Sequence, residues 1–317
     1  MKLVGLTTYG ICVRNEGNKN MELHDIYGTS LLDYIYTEGK AALNKYEDDS
    51  WEENIFAYSE IKKETHKNEK GQKIYEVLYA RIKTGDYGEE SEIIDSKTGE
   101  KTYNKSTEEA DVMPFGFCIM IPCGQYTEGV AMFQSLGRNG ITSLMKKKLN
   151  EYVKSIDTQL RFVMDPIVPK SYMNKFFREG VLRSVRMIRY GIPDDLSDRY
   201  GVDRGINRII EERVIRKPSG FIRNQYEKLM GVLSGNISYD QIVQLEDFEI
   251  DDLKLEFSIG KRCKTISMKN LDKLIVNEEI TDDVFIENGH PTFKSLCDVM
   301  RDTGEFYLTA KGLLVGK

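Results

Sequence analysis

The chain has 317 residues, 40% of them apolar and 30% charged, enough to bury a core and long enough for about two domains. Forty-five basic residues against 51 acidic ones leave a formal charge of −6, which excludes a protein that coats nucleic acid or membrane with its whole surface. No stretch approaches the roughly 20 apolar residues that span a bilayer, and five scattered cysteines without dense spacing fit reduced thiols in a cytoplasm.

The start, MKLVGLTTYGICV, makes a poor signal peptide because Thr7, Thr8 and Tyr9 break its apolar run. Leu3 to Val13 reads better as a first strand, ending at the polar turn Asn15–Asn20. Leu31, Leu32, Ile35 and Tyr36 recur at helix spacing behind Thr29 and Ser30, which predicts a helix over Ser30–Leu43. From Lys73 to Tyr103 the period changes to two, with a Lys97–Thr98–Gly99 turn, and the segment reads as an antiparallel meander. Phe115–Pro122 and Gly129–Leu136 are continuous apolar runs, as strands covered on both faces require. Then Ile141, Leu144, Met145, Leu149, Tyr152, Val153 and Ile156 share one face of an amphipathic helix, with Lys146, Lys147, Asn150, Glu151 and Lys154 on the other.

Asp165-Pro166 through Pro169 punctuates the chain, so the reading places two domains at 1–157 and 158–317. The second carries a short helix (Tyr172–Arg178), a strand (Val181–Tyr190), a turn at Gly191–Pro193 and a strand (Ile206–Lys217). A helix opened by Pro218-Ser219-Gly220 (Phe221–Leu233) follows, then strands near Leu253–Ile259 and Lys264–Met268 and a final helix around Phe293–Met300. Strands and helices alternate without a regular βα rhythm. The expected class is α+β: an antiparallel-sheet-rich N-terminal domain with an amphipathic helix, then a mixed second domain.

Arginine is unevenly placed. Ten of the 16 arginines lie between Lys170 and Lys228, where fourteen positive residues face eight negative ones for a net +6. The flanks are opposite in sign, −6 over Asp86–Asp111 and −8 over Asp240–Glu305. Guanidinium offers a planar fork that matches phosphate or carboxylate bidentately. Strand alternation sets Arg183 and Arg189 against Arg186, and Arg208 and Arg216 against Arg213 and Lys217. If the two strands pair, several of these arginines line one surface with Tyr190 and Phe221 nearby, a groove for a nucleic-acid backbone or a phosphorylated ligand. The competing structural reading pairs them with Glu211, Glu212, Asp194, Asp195 and Asp198 of the same window.

Other constellations are weaker. Gly137-Arg138-Asn139-Gly140 lies between an apolar strand and the amphipathic helix, where free N–H groups can cradle an anion, although it fits neither a P-loop nor GxGxxG. A metal-dependent nuclease would need acids such as Asp48/Asp49 with Glu60-Ile-Lys62, or Asp240 with Asp252-Leu-Lys254. Cys118 and Cys123 lack a second ligand pair for zinc, and His24, His66 and His290 are too dispersed to supply a nucleophile's base. Tyr75, Tyr79, Tyr87 and Tyr103 are candidates for a recognition face, with cross-strand packing the alternative. No catalytic residue, metal or organic cofactor is expected.

Three phrases in the second half, RYGIPDDLSDRY (Arg189–Tyr200), LKLEFSIGKRCKTISM (Leu253–Met268) and ITDDVFIENGHPTFKSL (Ile280–Leu296), carry a resemblance. They look like segments of uncharacterised bacterial proteins carried on mobile elements and in phage-defence neighbourhoods. That resemblance implies a cytoplasmic bacterial protein with a role in antiviral defence, and it carries over no catalytic residue. The favoured expectation is a binding component that contacts nucleic acid, DNA included, through Arg183, Arg186, Arg189, Arg208, Arg213, Arg216, Lys217 and Arg223. The alternative is a protein-interaction or homo-oligomeric assembly factor whose basic zone meets the acidic flanks of a partner, and the third is a divergent nuclease.

Overall fold

The computed structural model describes residues 3–49, 53–137, 139–167, 173, 177–178, 180–190, 210–238, 241–243, 245, 248, 250–259, 262–269 and 277–314. In chain order the elements begin with β1 (Val4–Arg14), α1 (Leu31–Ala41), β2 (Glu47–Asp49), β3 (Asn54–Lys67) and β4 (Lys73–Asp86). They continue with β5 (Ser91–Ile94), β6 (Lys101–Lys105), β7 (Met113–Pro122), β8 (Gly129–Leu136), β9 (Asn139–Gly140), α2 (Thr142–Ile156) and β10 (Arg161–Pro166). Next come β11 (Val181–Tyr190), β12 (Ile210–Arg216), α3 (Phe221–Leu233), β13 (Asp252–Ile259) and β14 (Arg262–Ser267). The last are β15 (Asn277–Glu279), β16 (Ile286–Glu287), β17 (His290–Pro291) and α4 (Phe293–Ala310). Strand exceeds helix, 45% against 25%, the sheets are built by antiparallel pairing, and the class is α+β. No helix among the described residues is long and apolar enough to cross a membrane.

The chain divides into two compact units, Met1–Asp165 with Val276–Lys317, and Pro166–Ile275. The first holds a nine-stranded sheet in the order β10-β1-β8-β7-β4-β3-β2, with β15 also on β1 and β9 on β8. Alternation along β7 explains how it is covered. Phe117 faces the side of α2, where Tyr58 touches Phe117 and its hydroxyl lies 3.3 Å from that of Tyr152. Gly116 faces α4 on the other side: a Cβ there would lie 2.3 Å from Leu296 Cδ2. Gly304 of α4 likewise leaves room for Met120 and Met132. Covered on both faces, β7 carries the apolar run that such a strand needs, and β1 is buried from Val4 to Val13 although Thr7 and Thr8 interrupt its apolar residues.

The extent of the units differs from the expected 158–317 domain, because the C-terminal segment returns to the first sheet. β15 pairs with β1, Ile280 N–H donates to Val4 O (2.9 Å), and Tyr75 hydroxyl donates to Glu305 of α4 (2.6 Å). The meander also differs. β4 pairs with β3 and β7, while β5 and β6 form a two-stranded hairpin of their own around the Gly99 turn.

The second unit has a four-stranded sheet, β12-β11-β13-β14. One face buries Val185, Met187, Leu253, Leu255, Phe257 and Ile266 against Leu229 of α3 and against Phe248 and Ile250. Complete burial of each such side chain contributes roughly 1.5–3 kcal/mol, which is what holds α3 on this sheet.

Candidate functional site

The arginine zone lies in the second unit, and β11 and β12 do pair, with Met187 opposite Arg213, Arg189 opposite Glu211 and Ser184 opposite Arg216. This register splits the arginines between the two faces. Arg189 and Arg213 share the face of Val185 and Met187, while Arg186 and Arg216 take the other.

Three of them are spoken for. Arg189, 8% exposed, pairs with Glu211, and its guanidinium lies 4.9 Å from the Phe248 ring centre. Arg213 stacks on the same ring at 4.5 Å and places Nε 3.7 Å from Glu211. Arg186 stands 3.7 Å from both Glu212 and Glu256. Cross-strand carboxylates therefore neutralise the middle of the zone, and the single arginine surface expected from the two strands is not formed. Arg208 lies outside the described residues. Arg216 is exposed opposite Ser184.

The end of the ladder is different. β11 has a bulge between Leu182 and Ser184, which cancels strand alternation at Arg183 and turns that side chain out of the core. Arg183 Nε donates to Ser258 Oγ (2.8 Å), and its carbonyl accepts the N–H of Lys217 (2.8 Å). Lys217 then leaves the strand in a left-handed conformation, φ +51°, uncommon for a residue with a Cβ. Pro218, Ser219 and Gly220 (φ +79°) follow at once and start α3. Arg223 falls in the first turn of that helix, whose leading N–H groups have no intrahelical acceptor.

Arg183, Lys217 and Arg223 consequently line one cavity of about 830 Å³, together with Ile222, Tyr226 and a single carboxylate, Glu227. The size is that of a small-ligand pocket, roughly 300–1,000 Å³. None of the three cations has a carboxylate partner among the described residues. Cationic side chains beside a helix start attract an anion twice over, through full charges and through the partial positive end of the helix. The arrangement can bind phosphate or carboxylate.

The Gly137–Gly140 turn is not such a cradle. Gly137 gives its N–H to Leu3 O (2.8 Å), and Asn139 and Gly140 pair back onto Leu136 and Ser135 as β9. Asn139 turns its amide toward Met113 Sδ (3.9 Å), and Ile141 occupies the capping position of α2. Arg138 lies outside the described residues.

The nuclease candidates are also engaged. Asp48 accepts from Tyr87 hydroxyl (2.8 Å), Glu60 pairs with Arg81 (3.3 Å) and Lys62 with Glu64 (2.8 Å). Asp252 is buried and accepts from Ser267 Oγ and Lys269 N–H. The side chain of Asp49 and all of Asp240 lie outside the described residues, among which no three metal-binding groups converge. Tyr75 and Tyr79 are core residues, while Tyr103 is exposed on the β5–β6 hairpin.

Strand periodicity could not reveal Phe248, which backs two guanidiniums from outside both strands, or the bulge that frees Arg183. The Pro218-Ser219-Gly220 punctuation did signal the helix start beside Lys217 and Arg223. No protein-family model and no curated protein matches this chain.

Proposed function

We propose that the second unit binds a nucleic-acid backbone in the cleft between the β11 bulge and the start of α3. Arg183 and Arg223 act as phosphate forks, Lys217 as a point charge, and Arg216 as an outlying cation on the opposite face of β12. The observation that supports this reading is the convergence on one cavity of about 830 Å³ of three cations that have no carboxylate partner among the described residues. Backbone contacts of this kind set affinity and position without reading sequence. Tyr226, partly buried against the hydrophobic core, adds an aromatic side chain to the wall, and a pocket of this size favours a flexible single strand over a duplex. The resemblance of the C-terminal phrases supports a role for such a binding component in a bacterial antiviral-defence or mobile-element system.

Fluorescence anisotropy with labelled single-stranded and duplex oligonucleotides tests the reading. Binding at about 50 mM salt should weaken steeply by about 200 mM. Arg183→Glu with Arg223→Glu should lower single-strand affinity by about 10- to 100-fold, as loss of two charge-assisted contacts implies. Absence of single-strand binding at low salt, or an unaffected double variant, removes the proposal.

One observation favours the assembly reading. β12 closes one side of the four-stranded sheet and exposes Ile210, Val214 and Ile215 at 59, 40 and 46%. An unpaired apolar edge can add a strand from a second copy. Light scattering would then show a dimer that Val214→Lys weakens; a monomer at every concentration would dismiss it.

A further inference from the structure

The first unit holds a second cavity, of about 860 Å³, between the outer face of α2 and β10. Among the described residues its walls carry Arg14, Lys146, Lys147, Lys154 and Arg161 against one carboxylate, Asp165, a positive lining in a chain of net charge −6. The helix explains the row. α2 commits Met145, Leu149 and Val153 to the core, which leaves the residues at positions 143, 146, 147, 150 and 154 along the opposite face.

Neighbouring bonds shape the groove and leave Arg14, Arg161, Lys146 and Lys154 without a carboxylate partner among the described residues. Asn150 Oδ1 accepts the N–H of Phe162 (3.1 Å) and ties β10 to the helix. Arg161 donates to Asn18 Oδ1 (2.6 Å) and Arg14 to Asn20 Oδ1 (3.1 Å), so both guanidiniums rest on neutral amides. Glu151, on the same helix, pairs with Lys148 (3.3 Å). Lys146 and Lys154 are exposed and have no carboxylate partner among the described residues.

From Ser143 to Lys154 the helix advances about 16 Å at about 1.5 Å per residue. A lone phosphate cannot bridge that length, whereas one strand of B-form DNA presents a phosphate about every 3.4 Å along its axis. Among the described residues the one aromatic ring in the lining is Phe162, buried at 4% exposure, so none of them offers a stacking surface for an unpaired base.

We infer that this groove is a second anion site, built for a linear row of phosphates contacted only through their charge. Duplex DNA and inorganic polyphosphate share that chemistry. The site is independent of the second-unit cleft, because every residue that lines it belongs to the first unit.

The test uses the full chain with two probes, a labelled mixed-sequence duplex and inorganic polyphosphate, at about 50 mM salt. Lys146→Glu with Lys154→Glu should lower affinity at least about 10-fold and reduce the slope of log affinity against log salt for the duplex by about 2, near 0.9 per lost contact. The neutral pair Lys146→Gln with Lys154→Gln should shift both in the same direction, with an unchanged circular dichroism spectrum in either variant. Arg183→Glu with Arg223→Glu should leave this binding intact, which separates it from the single-strand reading. Binding of the duplex alone or of polyphosphate alone, weakened by the lysine variants, supports the site and names its ligand. Failure of both probes to bind, or affinities and slope indifferent to the lysine variants, overturns it.

Discussion

Arg189 and Arg183 lie six positions apart on one strand and do opposite work. Arg189 is buried against Glu211 and Phe248, so Arg189→Ala leaves a carboxylate without its partner and a ring without its cation. The expected loss in urea unfolding is about 2–3 kcal/mol, the range for a hydrogen bond to a charged group in a partly desolvated pair. Arg183→Ala removes an exposed side chain bonded to one serine, should cost less than about 0.5 kcal/mol, and should act on ligand affinity instead. A second residue-scale test concerns alkaline pH. Burial pushes the Cys297 thiol up to about 12 from its ordinary value near 9, against a smaller opposite pull from Lys62. Burial also raises Cys118, Tyr58, Tyr75 and Tyr79. The native state therefore keeps protons that the unfolded chain releases, so stability is full below about 9 and falls as pH rises toward 12. Urea midpoints measured across that window should fall continuously; a flat profile would contradict the burial of these groups. Arginine identity was readable in the amino-acid sequence, but partnership was not: whether a guanidinium meets Glu211, Phe248 or solvent depends on register and on residues far along the chain.

At the scale of elements, periodicity carried a long way. The period of two and the apolar runs marked β1, β4, β7, β8 and β11, and the 3.6-residue stripe marked α2 almost to its ends. β3 escaped because its 14 residues, NIFAYSEIKKETHK, are half polar; it lies near the edge of the sheet, where one face stays wet. Pairing partners escaped too, since alternation says which face a residue takes and nothing of which strand lies beside it. The bulge at Arg183 is the consequential case, because one extra residue reverses the side on which an arginine emerges. Its partner element, the left-handed Lys217, makes a separable prediction. Lys217→Gly relieves a conformation unfavourable for a residue with a Cβ and should raise stability by up to about 1 kcal/mol, while removing a cation from the cleft and weakening anion binding. Opposite signs for the two measurements are the signature of a residue held in strain for its position; loss of stability with unchanged binding would refute that role.

For the whole molecule, the placement of charged residues along the sequence located the asymmetry, and the structure shows where each unit gathers its positive side chains. Among the described residues the acidic side chains take part in many ion pairs, whereas positive side chains gather at two cavities, one in each unit. Local pattern could not show that residues beyond Val276 rejoin the first sheet, because the return of β15 to β1 spans more than 270 positions. The proposal that Arg183, Lys217 and Arg223 jointly face a phosphate backbone is tested by the salt dependence of single-strand binding. Replacing all three with alanine should lower the slope of log affinity against log salt by about 2, near 0.7 for each lost contact on a single strand. An unchanged slope, or binding that ignores salt in the native protein, would contradict the claim.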